Sequence, residues 1–246
     1  VLWTRMLGHV LGGSTAAFAS MLSSFLLGIA LGSALASRFA STREAAARGF
    51  ALAQLGAGIF GYLAFRSVER LPDIAHAVGA SPAAPAAGAA AAGIMLLPVT
   101  LCIGATFPFG VRLLARDADE AAGVSGRVYA WNTAGSIIGA ILAGFFLLPA
   151  LGLENTALVG VLTSLTLAVT AAMLATPRHT VVAGLAAVGL LAAIVGGVPQ
   201  PTGLLMHSAM SGARMAGELY YLGVGRSATV TVLEDSLGWR LLTNGL

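Results

Sequence analysis

The chain has 246 residues, 57% of them apolar and 9% charged, with a mean hydropathy of +0.88. Globular domains carry about 45–50% apolar and about 25% charged residues, so a soluble domain is excluded. Thirteen basic residues, all arginine, against ten acidic ones leave a net charge of +3, and the arginines flank apolar stretches as topology signals do, which gives nucleic-acid binding no support.

Cys102 is the one cysteine, and His9, His76, His179 and His207 are scattered without ligand spacing. Neither a disulfide framework nor a metal site is expected. Taken in order, Val1 to Gly12 carries Trp3 and Arg5, an interfacial pair, and reads as the end of a helix whose beginning is missing. With neither an initiator Met nor a signal-peptide layout, the sequence is expected to be a piece of a longer protein. Ser14 to Ser37 is the first complete span. Its Gly28 and Gly32 share one helical face, where a neighbouring backbone can come close, and Ser20, Ser23, Ser24 and Ser33 can bond back to their own helix.

After Arg38, Arg43 and Arg48 comes a second span, Gly49 to Phe65, closed by Arg66, Glu69, Arg70 and Asp73. Pro72, Pro82 and Pro85 predict an irregular loop from Leu71 to Gly88. The third span, Ala89 to Leu114, holds Pro98 and Pro108, which predict a kink or unwinding near mid-membrane with Thr106 in the same stretch. Freed backbone groups could line a cavity there; a packing kink is the plainer reading.

Arg112, Arg116, Asp117, Asp119, Glu120 and Arg127 read as a solvated mixed-sign loop. After Arg127 the chain runs apolar through Leu151 with no charge, and at ~1.5 Å per residue a helix of that length covers the ~30 Å hydrocarbon core. Gly135 and Gly139, continued by Ala143, predict a seam for another helix, so that Gly139→Leu should overpack it. Asn132 and Thr133 lie one turn in from the charged end and are expected to point into the bundle, as interhelical glue or as a site. A tight turn at Gly152–Glu154 pairs this helix with a fifth span, Asn155 to Ala175, as an antiparallel hairpin. Pro177, Arg178 and His179 turn the chain into a sixth, Val181 to Val198.

From Pro199 the character changes. Pro199-Gln-Pro201 ends the apolar part, and Thr202 to Gly217 reads as a linker or interfacial segment. Two β-type runs follow, Ser227 to Leu233 and Trp239 to Thr243. The first alternates Ala228, Val230 and Val232, expected inward, with Ser227, Thr229 and Thr231, expected to be wetted. Asn244-Gly245 is a hairpin signal pointing to a further strand. The whole reads as an all-α polytopic membrane helix bundle of about six complete transmembrane helices plus one truncated, then a short β-hairpin segment. The divisions are 1–198 for the bundle, 199–217 for the linker and 218–246 for the start of a small, truncated β domain.

Four stretches of the membrane part carry a resemblance: Val1-Leu-Trp-Thr-Arg-Met-Leu-Gly8, Phe25-Leu-Leu-Gly-Ile-Ala-Leu-Gly-Ser33, Gly104-Ala-Thr-Phe-Pro108 and Gly126-Arg-Val-Tyr-Ala-Trp-Asn-Thr-Ala-Gly-Ser136. In the tail, Glu218-Leu-Tyr-Tyr-Leu-Gly223, Ala228-Thr-Val-Thr-Val232 and Leu241-Leu-Thr-Asn-Gly245 do the same. Together they resemble the membrane region and small β domain of the membrane-bound spermidine synthase-like (polyamine aminopropyltransferase) family. The resemblance implies a bacterial plasma (inner) membrane protein whose catalytic domain follows the β domain. That domain would take decarboxylated S-adenosylmethionine as co-substrate and transfer its aminopropyl group to a diamine. No catalytic, cofactor-binding or metal residue carries over, because the family's glutamine, Gly-rich loop and catalytic aspartate lie beyond the stretches that match. Gly223–Gly225 precedes a strand where a Rossmann fingerprint follows one, and is rejected as a cofactor loop.

Two functions remain open on these residues: the membrane anchor of such an enzyme, or a carrier of a small solute or polyamine. The small-residue seams, the proline-broken third span, Thr106 and Asn132 would suit a carrier, but no charge sits at the centre of any span. The expected partners are the lipid bilayer, the protein's own catalytic domain and further copies in a homo-oligomer, with no nucleic acid and no metal. Topology poses a conflict. Arg38, Arg43, Arg48, Arg112, Arg116, Arg127 and Arg178 fall on one side and Arg5, Arg66 and Arg70 on the other, so the first side is cytoplasmic. Six spans then leave the β segment outside unless Thr202–Gly217 re-crosses, and sixteen residues with His207 and Arg214 are short for that.

Overall fold

The computed structural model describes residues 1–79, 85–175, 180–208, 213–236 and 238–246. Pro82, Pro177, Arg178 and His179 lie outside them. A short helix α1 (Leu2–Leu11) ends at Gly12 and is followed by α2 (Thr15–Phe39), whose start is fixed by Ser14 Oγ accepting from the Ala17 N–H at 3.1 Å. The buried face of α2 is made of small residues, Ala17, Ser20, Ser24, Gly28, Gly32 and Ala36, with Met21. Thr42 caps α3 (Arg43–Arg66) in the same way. Arg43, Glu44 and Arg48 are therefore helical, where the sequence reading begins the span only at Gly49.

After a 3-10 turn, Val68–Arg70, the predicted irregular loop Leu71–Gly88 is helical at both ends: it opens with a helix α4 (Leu71–Ala77), with Pro72 in its first turn, where a missing N–H costs nothing, and from Pro85 it belongs to the next helix, while residues 80–84 lie outside the described ones. The next helix, α5 (Pro85–Leu114), does not unwind at its prolines: it stays helical through Pro98 and Pro108. Each proline forfeits one backbone hydrogen bond, but α2 and α3 pack along the helix and hold it helical.

Asp117 caps α6 (Ala118–Ile141), accepting from the Glu120 N–H at 2.9 Å, with Asp119 and Glu120 in the positively polarised first turn. The expected loop at Asp119, Glu120 and Arg127 is thus helix. A π-helical stretch, Leu142–Leu147, leads into α7 (Leu148–Ala175). Inside α7 the helix is broken at one residue, Gly152, with φ 75° and ψ −176°, a conformation that glycine adopts without Cβ strain. Last in the bundle is α8 (Thr180–Gly196).

By length and composition three stretches suit a bilayer crossing: Thr15–Phe39, Ala86–Leu114 and Asp119–Met173. The pair Arg43–Arg66 and Val68–Ala77, bent by 53°, makes a fourth if taken as one span, and the apolar helix Val181–Gly196 is shorter. At one end of the bundle Ala36, Ala46, Ala53 and Phe109 cluster, and Arg43 and Arg112 bind backbone carbonyls of the facing segments. At the other, Met6, Leu7, Leu11, Phe65, Leu71 and Leu148 form the largest core.

The rest of the chain sits at that second end. One helical turn, α9 (Thr202–Leu205), buries Leu204 and Leu205. A two-residue strand β1 (His207–Ser208) pairs with β2 (Ala213–Arg214), and both His207 and Ser208 are buried. Of the expected linker 199–217, the part from Leu204 to Ser208 is thus packed structure. Strands β3 (Glu218–Val224), β4 (Thr229–Asp235) and β5 (Gly238–Thr243) form an antiparallel sheet in that order, one strand more than the two runs read from sequence. Asn244 (φ 54°) and Gly245 (φ 82°) make the turn that their sequence announces. The expected faces of β4 are reversed: Thr229, Thr231 and Leu233 are the fully buried residues, while Val230 and Val232 are only partly covered.

Candidate functional site

The seven residues singled out from sequence fall in different places. Gly28 and Gly32 form the contact between α2 and α5. A Cβ on Gly28 would overlap the Thr100 side chain, one on Gly32 the Leu101 carbonyl, and one on Gly104, opposite, the backbone of Ile29. Helix axes come this close only where a side chain is missing from each turn of the seam. Polar groups in the seam are satisfied: Ser24 Oγ donates to the Ala89 carbonyl across the helix pair at 2.6 Å, and Thr100 Oγ1 to the Leu96 carbonyl at 2.9 Å.

Gly135 and Gly139 have the same spacing and a different surrounding. No atom lies within 4 Å of a Cβ built on either. The neighbouring helix expected against them is not present among the described residues, and α6 packs only lightly on α5. Asn132 and Thr133 are exposed rather than turned into the bundle; Thr133 Oγ1 donates to the Tyr129 carbonyl of its own helix at 2.9 Å. Thr106, half-buried on α5, does the same to Ile103 at 2.6 Å. The three polar candidates converge on no shared point.

Sequence reasoning passed over the polar groups that the fold does bring together, at the joint between α1 and the sheet. His9 is 1% exposed and His207 5%, and the Thr229 and Thr231 hydroxyls are fully buried. Both ring nitrogens of His9 and both threonine hydroxyls lack a hydrogen-bond partner among the described residues. Loss of water pushes the His9 imidazole down to about 4, and the neighbouring His207 pushes the same way. His207 Nδ1 lies 3.4 Å from the His9 carbonyl.

Around this pair the joint is closed by backbone. The Gly245 Cα carries no side chain because a Cβ there would stand 3.0 Å from the His9 Cα. Asn244 exchanges two 2.8 Å hydrogen bonds with the backbone of Thr229, one through its side chain, and the Arg5 guanidinium reaches the Gly225 and Arg226 carbonyls. Glu69 after α3 accepts from the Gly203 N–H at 3.0 Å. A signal was available: a histidine on the apolar face of Leu2–Leu11 and the Asn-Gly turn. Nothing in their spacing joins them, since their partners are some two hundred residues apart.

Two imidazoles without a carboxylate or nucleophile partner make no acid–base relay. No group of three or more His, Cys, Asp or Glu that could hold a metal ion occurs among the described residues. The arrangement is a packed mechanical joint. The fold therefore defines a helical bundle, with three helices long and apolar enough to cross a membrane, that carries a docked antiparallel sheet. Compared with known proteins, the chain matches no family model, no curated protein and no solved structure.

Proposed function

We propose that residues 1–246 are the integral-membrane scaffold of a spermidine synthase-like protein of the bacterial plasma membrane, whose part is to fix a β module rigidly at one membrane face. The observation that carries this is the joint: Leu222 and Val224 of β3 pack against the bundle core, Gly245 lies against His9 of α1, and Arg5 binds the Gly225 and Arg226 carbonyls, which is more than a flexible tether needs. Six crossings suit the scaffold. The break at Gly152 inside the long stretch Asp119–Met173 is where a turn between two crossings would fall, Leu148 and Leu153 beside it lie in the core at the sheet end, and Tyr62 at that end of α3 donates to the Gly197 carbonyl after α8. The solute-carrier alternative loses one of the features that prompted it, since α5 stays helical past Pro98 and Pro108.

Arginine distribution makes the end with Arg38, Arg43, Arg48, Arg112 and Arg116 cytoplasmic. The sheet then faces away from the cytoplasm, because α9 is a single turn at the sheet end and does not re-cross. Cysteines introduced as Ser41→Cys and, separately, Ser236→Cys in a Cys102→Ser background test this on intact cells with a membrane-impermeant thiol reagent. Labelling at Ser236 and protection at Ser41 is the expected pattern, and it removes cytoplasmic aminopropyl transfer from the reading while keeping the scaffold. The opposite pattern overturns the orientation and returns the module to the side where decarboxylated S-adenosylmethionine is made. In either orientation the 246-residue chain is expected to form no product from that co-substrate and a diamine; product formation would put catalytic groups inside it.

A further inference from the structure

A cleft of about 670 Å³ opens at the arginine-rich end between α2 and α3, over α5. It exists because α2 and α3 both pack along α5 but scarcely touch each other. Its floor is kept low by small residues, Gly32, Ala53 and Cys102 among them, and its sides are Leu35, Phe39 and Leu52, which are 51%, 67% and 47% exposed. From Arg38 at the mouth to Gly32 at the floor is six residues of α2, or about 9 Å along the axis.

Two guanidiniums stand at the mouth, Arg38 and Arg48. They differ from the other arginines of that end. Arg43 donates to the Leu113 carbonyl at 3.0 and 2.8 Å and Arg112 to the Ser41 carbonyl at 3.3 Å, so both are engaged in tying helix ends together. Arg38 and Arg48 have no hydrogen bond or ion pair among the described residues, and no carboxylate lines the cleft among them. Two unneutralised charges above an apolar slot open to the side match one kind of molecule.

We propose that this cleft is a binding site for an anionic phospholipid, its phosphate held between Arg38 and Arg48 and one acyl chain laid along Leu35 and Leu52 toward Gly32. A soluble anion would leave the apolar slot unfilled, and a zwitterionic lipid would bring its own cation to two arginines. Anionic lipids concentrate in the cytoplasmic leaflet, the side that the arginines select. The inference rests on the membrane reading above for the presence of a headgroup layer at this end, and not on which domain the bundle carries.

The test is native mass spectrometry of the detergent-solubilised 246-residue protein with dioleoyl phosphatidylglycerol or dioleoyl phosphatidylcholine. One phosphatidylglycerol is expected to be retained in preference to phosphatidylcholine. Arg38→Gln and Arg48→Gln should each lower its retention about fivefold, as removal of one juxtamembrane charge does. Arg127→Gln, which removes a charge from the same end outside the cleft, should leave retention unchanged. Leu35→Trp, which fills the slot at an exposed position and keeps both charges, should lower it as well.

Equal losses from all three arginine variants would reduce the effect to diffuse attraction and overturn the site. So would equal retention of the two lipids, or displacement of phosphatidylglycerol by soluble glycerol 3-phosphate, which would show that the phosphate alone is read. Because binding is measured in micelles, it can fail while the thiol-labelling pattern holds, and the reverse.

Discussion

Helices α2 and α6 present the same motif, two glycines four residues apart in an apolar helix, and use it in opposite ways. On α2 the Gly28–Gly32 face meets α5 backbone to backbone, and the hydroxyls of Ser24 and Thr100 are bonded inside the contact. On α6 the Gly135–Gly139 face has open space beyond it, and Ile137, Ile138, Ile141 and Phe145 are about half exposed. Small-residue spacing permits close approach without compelling it. What decides is where the folded chain brings a partner: α5 returns to lie along α2 after α3 and α4 intervene, while α6, joined to α5 by only a short link, is left on the flank.

The largest test of this contrast is Gly32→Leu. Its side chain would have to occupy the place of the Leu101 carbonyl, a backbone atom that cannot swing aside, so a loss of about 3 kcal/mol or outright failure to fold is expected in thermal unfolding in detergent. A melting temperature equal to that of the unsubstituted protein would mean that the helices are not so close.

The second test sets the seam against the α1–sheet joint by pH. Ser24, Thr100 and the glycines of the seam do not titrate, so that contact should be indifferent to acid. His9 is held neutral, at about 4 against an ordinary 6.5. Above about pH 6.5 neither the folded nor the unfolded form is protonated and the joint has its full stability. Between about 6.5 and 4 only the unfolded form takes the proton, so stability falls, by roughly 3 kcal/mol in all; below 4 both forms are charged and the loss stops. Unfolding followed from pH 8 to 4 should display this slope, and His9→Gln should flatten it. A slope unchanged in the variant would assign the acid sensitivity to another group.

A smaller effect is expected from Ser24→Ala. It removes the hydroxyl bond to Ala89 and leaves a carbonyl that keeps its own helix, so the cost should be near 0.6 kcal/mol, the average for such bonds between membrane helices. A loss of several kcal/mol would show that the bond sets the register of the pair. Smallest of all is Gly139→Leu, which meets nothing and should change the unfolding free energy by less than about 0.5 kcal/mol. A large loss there would break the comparison, because a second copy of the chain would then have to cover α6.

The solved joint also explains why β4 turned over relative to its pattern. Alternation along Ser227–Leu233 is regular and valine is the more apolar type, but Leu233 stands in phase with Thr229 and Thr231, so the two faces compete for the buried side. Register with Leu242 and the packing of Met206 and Leu219 against Leu233 chose it, and placed Thr229 and Thr231 inside without hydroxyl partners among the described residues.

The sequence by itself determined the apolar helices, their approximate order, the break at Gly152 and the Asn244-Gly245 turn, because each depends on composition or on groups within a few residues of one another. Tertiary structure decided the rest. Only packing against α2 and α3 could keep α5 helical past its prolines, only the path of the chain could give Gly32 a neighbour and Gly139 none, and only the folded joint could bring His9 to His207 and Gly245. Those outcomes rest on contacts between residues far apart in the chain, and local spacing carries no record of them.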